Sequence, residues 1–172
     1  MHGTYLIEVA HKPGIQDPLA EGIADDLKQV GAPAYRTGRR GILKVSTSKL
    51  YRLVGKLTAE ERVRIGKDLL SDPVTEEFRD GTNPSPLSRR GDSQGEGLKA
   101  VVVDVWYKQG VTDAVGETVL KGLQDMNLSE IQDVRTGMRY RFFGLKEPKV
   151  AEKLALAVLI NPLIHDRIIH AD

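Results

Sequence analysis

The chain contains no cysteine, which excludes disulfide bonds and thiol chemistry. No apolar run approaches the roughly 20 residues that a membrane-spanning helix needs, and the first residues lack the apolar core of a signal peptide. The net charge is only +1, so no strong attraction to nucleic acid or to an anionic membrane is expected. These features favour a cytoplasmic protein that binds neither.

Motifs of several reactive sites are missing as well. There is no glycine-rich phosphate loop that ends in Gly-Lys-Ser/Thr and no Gly-x-Ser-x-Gly turn for a nucleophilic serine. His165 and His170 are five positions apart in a predicted strand, so their side chains point to opposite faces and cannot bind one metal ion. No catalytic, cofactor-binding or metal-binding residue is therefore assigned from the sequence.

An internal repeat dominates what is present. The apolar and charged fractions of the chain, 40% and 28%, are those of a globular protein. When residues 5–30 are compared with residues 101–126, identical residues recur at a constant offset. The identical pairs are Val9 and Val105, Lys12 and Lys108, Gly14 and Gly110, Asp17 and Asp113, Glu21 and Glu117, and Leu27 and Leu123. We interpret the chain as two copies of one unit.

Each copy predicts the same opening elements. A β-rich run, residues 5–10 or 100–107, leads through a turn to a helix that begins after a capping aspartate, Asp17 or Asp113. Gly31 and Asn127 are suited to the left-handed position that ends these helices. A hairpin is expected next, with its turn at Thr136-Gly137 in the second copy and near Gly38 in the first. The first copy is also expected to be longer, with an extra segment around residues 48–57.

A second helix and a last strand complete each copy. Thr58 and Glu61 form a capping-box pattern in copy one, and residues 149–160 form the equivalent helix in copy two. Both helices end at an Asx-Pro pair, before predicted strands at residues 74–78 and 164–169. The expected fold is α+β: two tandem β-α-β-β-α-β units, each a sheet with two helices on one face, packed as a pseudo-dimer. The predicted boundaries are 1–79 for the first repeat, 80–97 for a linker and 98–172 for the second repeat.

Five basic residues are candidates for partner binding. Lys12 and Lys108 precede a turn at a helix N-terminus, which is a place for anions, but Asp17 and Asp113 compete for the same positive end. Arg36 and Arg135 lie in a repeated Arg-Thr-Gly motif predicted to form turns, and Arg39 follows the first of these motifs. These arginines are expected to bind a partner, to bind a small ligand, or to be solvated on a tight hairpin turn; the sequence leaves the three alternatives open.

These motifs together resemble a known family, the PurS-type small subunit of phosphoribosylformylglycinamidine synthase. The resemblance is carried by Lys-Pro-Gly-Ile-Gln-Asp-Pro at residues 12–18, by the two Arg-Thr-Gly motifs, and by Leu-Ile-Asn-Pro-Leu-Ile at residues 159–164. It extends over both copies, whereas family members usually contain one. Copy two departs from the pattern at Gln109, where the motif has proline, and at Met138, where Arg39 stands in copy one.

The resemblance implies a role in purine biosynthesis. The synthase converts formylglycinamide ribonucleotide to formylglycinamidine ribonucleotide with ATP and glutamine. Its large subunit uses ATP and Mg²⁺, and a glutaminase subunit supplies ammonia. The small subunit is a dimer that bridges the two without catalytic residues or a cofactor of its own. The N-terminal domain of single-chain synthases looks like two fused small subunits, so the present chain resembles either a free-standing tandem or such a domain. A small-molecule-sensing pair of regulatory domains is the alternative.

Overall fold

The computed structural model describes residues 3–29, 44–81, 100–145 and 147–171. They form a mixed α+β fold in which α2 continues directly into one π-helical turn, residues Gly66–Leu70. In chain order the elements are β1 (Gly3–His11), α1 (Pro18–Gln29), β2 (Lys44–Gly55), α2 (Ala59–Ile65), β3 (Glu76–Asp80), β4 (Ala100–Tyr107), α3 (Ala114–Asp125), β5 (Ile131–Phe143), α4 (Pro148–Val158) and β6 (His165–Ala171).

The strands form one six-stranded antiparallel sheet in the order β3-β1-β2-β5-β4-β6. β1 pairs with β2 on one side and with β3 on the other, with Ile7 opposite Tyr51 and Asp80. β4 pairs with β6, with Val103 opposite Ile169. Among the described strands, only two of the neighbouring pairs, β1–β2 and β4–β5, are consecutive in sequence. None of the helices in the described parts of the chain has the length and apolar character needed to cross a membrane.

The helix starts follow the predicted caps. An Asp17 carboxylate oxygen accepts the main-chain N–H of Ala20 at 3.0 Å, and an Asp113 oxygen accepts that of Gly116 at 2.8 Å. Thr58 and Glu61 form the reciprocal capping box. Asn127 has a φ of 62°, the left-handed conformation predicted for it. The other predicted stop, Gly31, lies outside the described residues.

The predicted hairpin of the second copy is wrong. Residues 131–143 form one continuous strand, β5, and Gly137 does not adopt the positive φ found at the turn residues Gly110 and Gly144. The Thr-Gly pair stays extended because Thr136 is held in the strand by hydrogen bonds to Asp113, as described below. In the first copy the predicted turn near Gly38 lies outside the described residues.

The extra length of the first copy also lies elsewhere than predicted. Thr47 bonds to Asp17, thirty residues earlier, in the same way as Thr136 bonds to Asp113, twenty-three residues earlier. Residues 48–55 are thus part of strand β2 rather than an inserted segment. The longer spacing is the one between Asp17 and Thr47.

The last strands begin later than predicted. Asp72 Oδ1 accepts the main-chain N–H of Val74 at 2.7 Å, and Asn161 Oδ1 accepts that of Leu163 at 3.0 Å. These Asx turns hold the residues after the proline in turn geometry. β3 therefore starts at Glu76 and β6 at His165.

The chain divides into two compact units, and each takes segments from both parts of the sequence. The first unit contains β1, β2 from Ser48 onward, α2 with its π turn, β3, α3 and β5 up to Gly137. Its core holds the helix side chains Val119 and Leu123 together with residues of β1, β2 and α2. Large apolar residues with no exposed surface in this unit are Ile7, Leu50, Leu53, Ile65 and Leu123.

The second unit contains α1, β2 up to Thr47, β4, β5 from Met138 onward, α4 and β6. Its core joins Ala20, Ile23 and Leu27 of α1 to the strands β4 and β5 and to α4. The residues that β4 and β5 contribute are Val101, Val103, Val105, Tyr140 and Phe142. The predicted division at residues 1–79, 80–97 and 98–172 stays a prediction, since most of the proposed linker lies outside the described residues.

Candidate functional site

Lys12 and Lys108 occupy matching positions, each in its own unit. The Lys12 ammonium donates to the carbonyl oxygen of Pro73, and the Lys12 main-chain N–H donates to the carbonyl of Thr75 at 2.9 Å. Both ends of the lysine thereby fasten the turn after β1 to the turn before β3. Because the ammonium already has a carbonyl partner, Lys12 stabilises the conformation of this pair of turns.

In the second unit, Lys108 repeats the arrangement. Its ammonium donates to the carbonyl of Pro162, and its main-chain N–H donates to Ile164 at 2.9 Å. The repeated Asx-Pro motif of the sequence therefore supplies the carbonyl that each lysine binds. Binding of a partner by these lysines stays a prediction.

The lysine-held turns present apolar side chains to solvent. Val74 is 75% exposed and Leu163 is 83% exposed, the largest values among the exposed large hydrophobic residues of the described chain. Each follows the proline whose carbonyl binds the lysine. Loops that a rigid scaffold holds in place often carry binding residues. Sequence reasoning missed these two residues, although an apolar residue directly after each Asx-Pro pair was visible.

A hydrogen-bonded aspartate organises the start of each first helix. Asp113 is buried, and besides capping α3 it accepts the main-chain N–H of Thr136 at 2.6 Å and the Thr136 hydroxyl at 2.7 Å. Asp17 accepts the corresponding N–H and hydroxyl of Thr47 at 2.9 Å. Each carboxylate thus ties a helix start to a strand within one unit.

A shallow polar depression of about 270 Å³ lies beside the start of α3 in the first unit. It is lined by Gly110–Asp113, Glu117 and Asp133–Arg135. The Arg135 Nε lies 3.3 Å from an Asp133 carboxylate oxygen, with about a third of the arginine side chain exposed. Arg135 therefore lies within a strand rather than on the turn predicted for it. Arg36 and Arg39 lie outside the described residues.

Buried charges in the second unit are paired. Arg139 forms two hydrogen bonds of 2.7 Å to the buried Asp104 carboxylate, from Nε and Nη2. His170 Nε2 lies 3.2 Å from the same carboxylate, whereas the His165 ring packs against the Tyr107 ring with centroids 5.3 Å apart. Within the described residues, no group of histidines and acids is arranged to hold a metal ion.

An ion pair links β2 and β3 in the first unit. Lys49 Nζ lies 2.8 Å from a Glu76 carboxylate oxygen, and the other oxygen accepts the Asp72 main-chain N–H at 3.0 Å. Burial opposes ionisation of Glu76, but these hydrogen bonds outweigh it and hold its pKa below the ordinary value. Burial likewise opposes the charge on Lys49, yet the Glu76 carboxylate raises the lysine pKa.

Residues 100–172 match the PurS family model, described as phosphoribosylformylglycinamidine (FGAM) synthase. The match runs from the first residue of β4 to the end of the chain and covers somewhat less than half of it. It supports a PurS-type domain in this region and, with it, a role connected with FGAM synthase and purine biosynthesis. No curated protein matches the chain.

Proposed function

We propose that the chain is a non-catalytic scaffold component of FGAM synthase, in which two PurS-type copies bridge the ATP-dependent synthetase and the glutaminase. The observation that carries the proposal is the PurS match over residues 100–172. The chain then acts as part of a glutamine-dependent ligase in the cytoplasm, where ATP and Mg²⁺ are used by the large subunit. Its partners are these two proteins, with no nucleic acid and no membrane.

Repeated contacts support the two-copy part of the proposal. The Asp17–Thr47 and Asp113–Thr136 bonds are equivalent, as are the Lys12–Pro73 and Lys108–Pro162 bonds. α1 and α3 also have the same length of 12 residues. Recurrence of long-range side-chain contacts in the same order is difficult to obtain from unrelated segments, so it supports a repeat.

The lysine-held turns support a scaffold role. Val74 and Leu163 are apolar, strongly exposed and placed on turns that are fastened at both ends. A preformed apolar contact loses little conformational freedom on binding, so it favours association. We assign the partner contacts to these turns with Lys12 and Lys108, and to the arginines Arg36, Arg39 and Arg135.

Reconstitution with the two candidate partners tests the proposal. The chain should elute together with a synthetase subunit and a glutaminase on a sizing column. Leaving it out should reduce glutamine-dependent formation of the amidine product far more than formation from added ammonia, because a bridge is needed only when ammonia must pass between proteins. Pure chain incubated with glutamine should release no ammonia above buffer. Elution of the chain apart from both partners would contradict the proposal.

A small-molecule sensor is the second candidate, favoured by the polar depression beside α3. Its lining holds one cationic side chain, Arg135, which is paired with Asp133, and the further carboxylate of Glu117, so both charges of a zwitterion have a counterpart there. A rise in melting temperature on adding amino acids or nucleotides, abolished by Arg135→Ala, would support this candidate over the scaffold. An unchanged melting temperature with every ligand would remove it.

A further inference from the structure

The first helix of each predicted repeat packs with strands from the other repeat. α3, which follows β4 in sequence, places Val119 and Leu123 in one core with Ile7, Leu53 and Ile65. α1, which follows β1, places Ala20, Ile23 and Leu27 in one core with strands β4 and β5. Each of these cores lies within a single compact unit.

Individual contacts support this assignment. A Cβ atom added to Gly122 of α3 would lie 2.9 Å from Leu69 Cδ1, on the π turn that follows α2. In the second unit, α1 shares its core with Ala151, Leu154 and Ala155 of α4, a helix of the other repeat.

From these contacts we infer that the two repeats exchange their first helices. Each first helix thus shares a core with strands of the other repeat, besides residues of its own repeat such as Val45 and Val134. The two helices bury equivalent residues, since Ala20, Ile23 and Leu27 occupy the positions that Gly116, Val119 and Leu123 occupy in α3. The inference rests on the two-copy part of the proposed function, and it is independent of the role in purine synthesis.

The exchange has a mechanical consequence. Neither repeat completes its core alone, since Leu27 and Leu123 are almost fully buried in cores that contain side chains of the other repeat. A scaffold built in this way cannot come apart into separate copies while it bridges its partners. The interaction surface is thus formed by the strands of each repeat, and the amphipathic first helix of the other repeat binds to it.

A cross-link in the full-length chain tests the exchange. The chain has no natural cysteine, so L69C/G122C provides a single thiol pair, and the smaller side chain at position 69 leaves room for the new one. A protease site is introduced within residues 85–95 and cleaved after oxidation. The exchange predicts one joined band on a denaturing, non-reducing gel. Two separate fragments would overturn it. L69C/V115C, whose second thiol lies seven residues earlier on α3, is the matched control and should give two fragments. A joined band from the control as strong as that from L69C/G122C would also overturn the predicted contact.

Hydrogen exchange on two matched variants gives an independent reading. Leu123→Ala should speed amide exchange in β1 and β3 by about tenfold or more while sparing β4 and β6. Leu27→Ala should do the reverse. Loosening of each helix's own repeat, or equal loosening of all strands, would contradict the exchange. If the contradicting pattern of hydrogen exchange appears while the chain still elutes with the synthase subunits, the exchange fails and the proposed function stands.

Discussion

Thr136 donates both its main-chain N–H and its hydroxyl to the buried carboxylate of Asp113, at 2.6 and 2.7 Å. The same carboxylate caps α3 through Gly116. One side chain therefore sets the position of a helix relative to a strand within the first unit. Thr47 and Asp17 repeat this relationship in the second unit.

Thr136→Val should destabilise the protein by about 1.5–3 kcal/mol, because the buried carboxylate loses a hydrogen-bond donor and gains no water in its place. Urea unfolding measures the change. Thr118→Val is the matched control: this threonine is on the exposed side of α3 and its hydroxyl bonds to the Ala114 carbonyl, so its removal should change little. Equal midpoints for the two variants would show that the Asp113 bonds do not stabilise the fold.

Gly116→Ala should be strongly destabilising, and Gly22→Ala should not. A Cβ atom at Gly116 would lie 2.6 Å from the main-chain oxygen of Val134, which can move only with its strand. At Gly22 on α1 no atom lies within 4 Å of an added Cβ, so alanine should stabilise that helix by about 0.5–1 kcal/mol. Thermal melts in which both variants shift in the same direction would contradict the close approach of α3 to β5.

The Lys49–Glu76 pair should stabilise the fold only within a window of pH. The Glu76 pKa is lowered on folding, so its contribution is complete above the ordinary value of 4.5 and is lost as the pH falls through the lower folded value. The Lys49 pKa is raised, so its contribution is complete below 10.5 and is lost at higher pH. Urea midpoints of the parent and Glu76→Gln should differ at pH 7 and converge toward pH 3. A difference that persists in acid would exclude ionised Glu76 as the cause.

Val74→Asp and Leu163→Asp should weaken assembly with the synthase partners without unfolding the chain. Both side chains are largely in solvent, so their free energy of unfolding should change by no more than about 0.5 kcal/mol. A charge buried in a contact costs much more than that. Pull-down measures assembly, and Val63→Asp on α2, where the side chain is 50% exposed, serves as a control. Unchanged pull-down with both turn variants would remove these turns from the interface.

Local chemistry made part of this structure readable in the sequence. The helix starts at Asp17 and Asp113, the capping box of Thr58 and the left-handed stop at Asn127 were all predicted, because each depends on hydrogen bonds or backbone preferences within three or four residues. The sequence also pointed to the two lysines, and their role in binding a partner stays a prediction. Their carbonyl partners could not be predicted, because these lie more than fifty positions away in sequence.

Long-range contacts decided what the sequence alone left open. The Thr-Gly pair in β5 has the composition of a turn, but the Asp113 carboxylate holds Thr136 in an extended strand. The choice of strands for α1 and α3 was equally invisible, since the two helices have matching lengths and apolar faces that suit either core. Sequence determined by itself where most helices begin and which of their faces are apolar. Only tertiary structure decided which core each face fills, because that choice depends on how the whole chain minimises exposed apolar surface and unpaired polar groups.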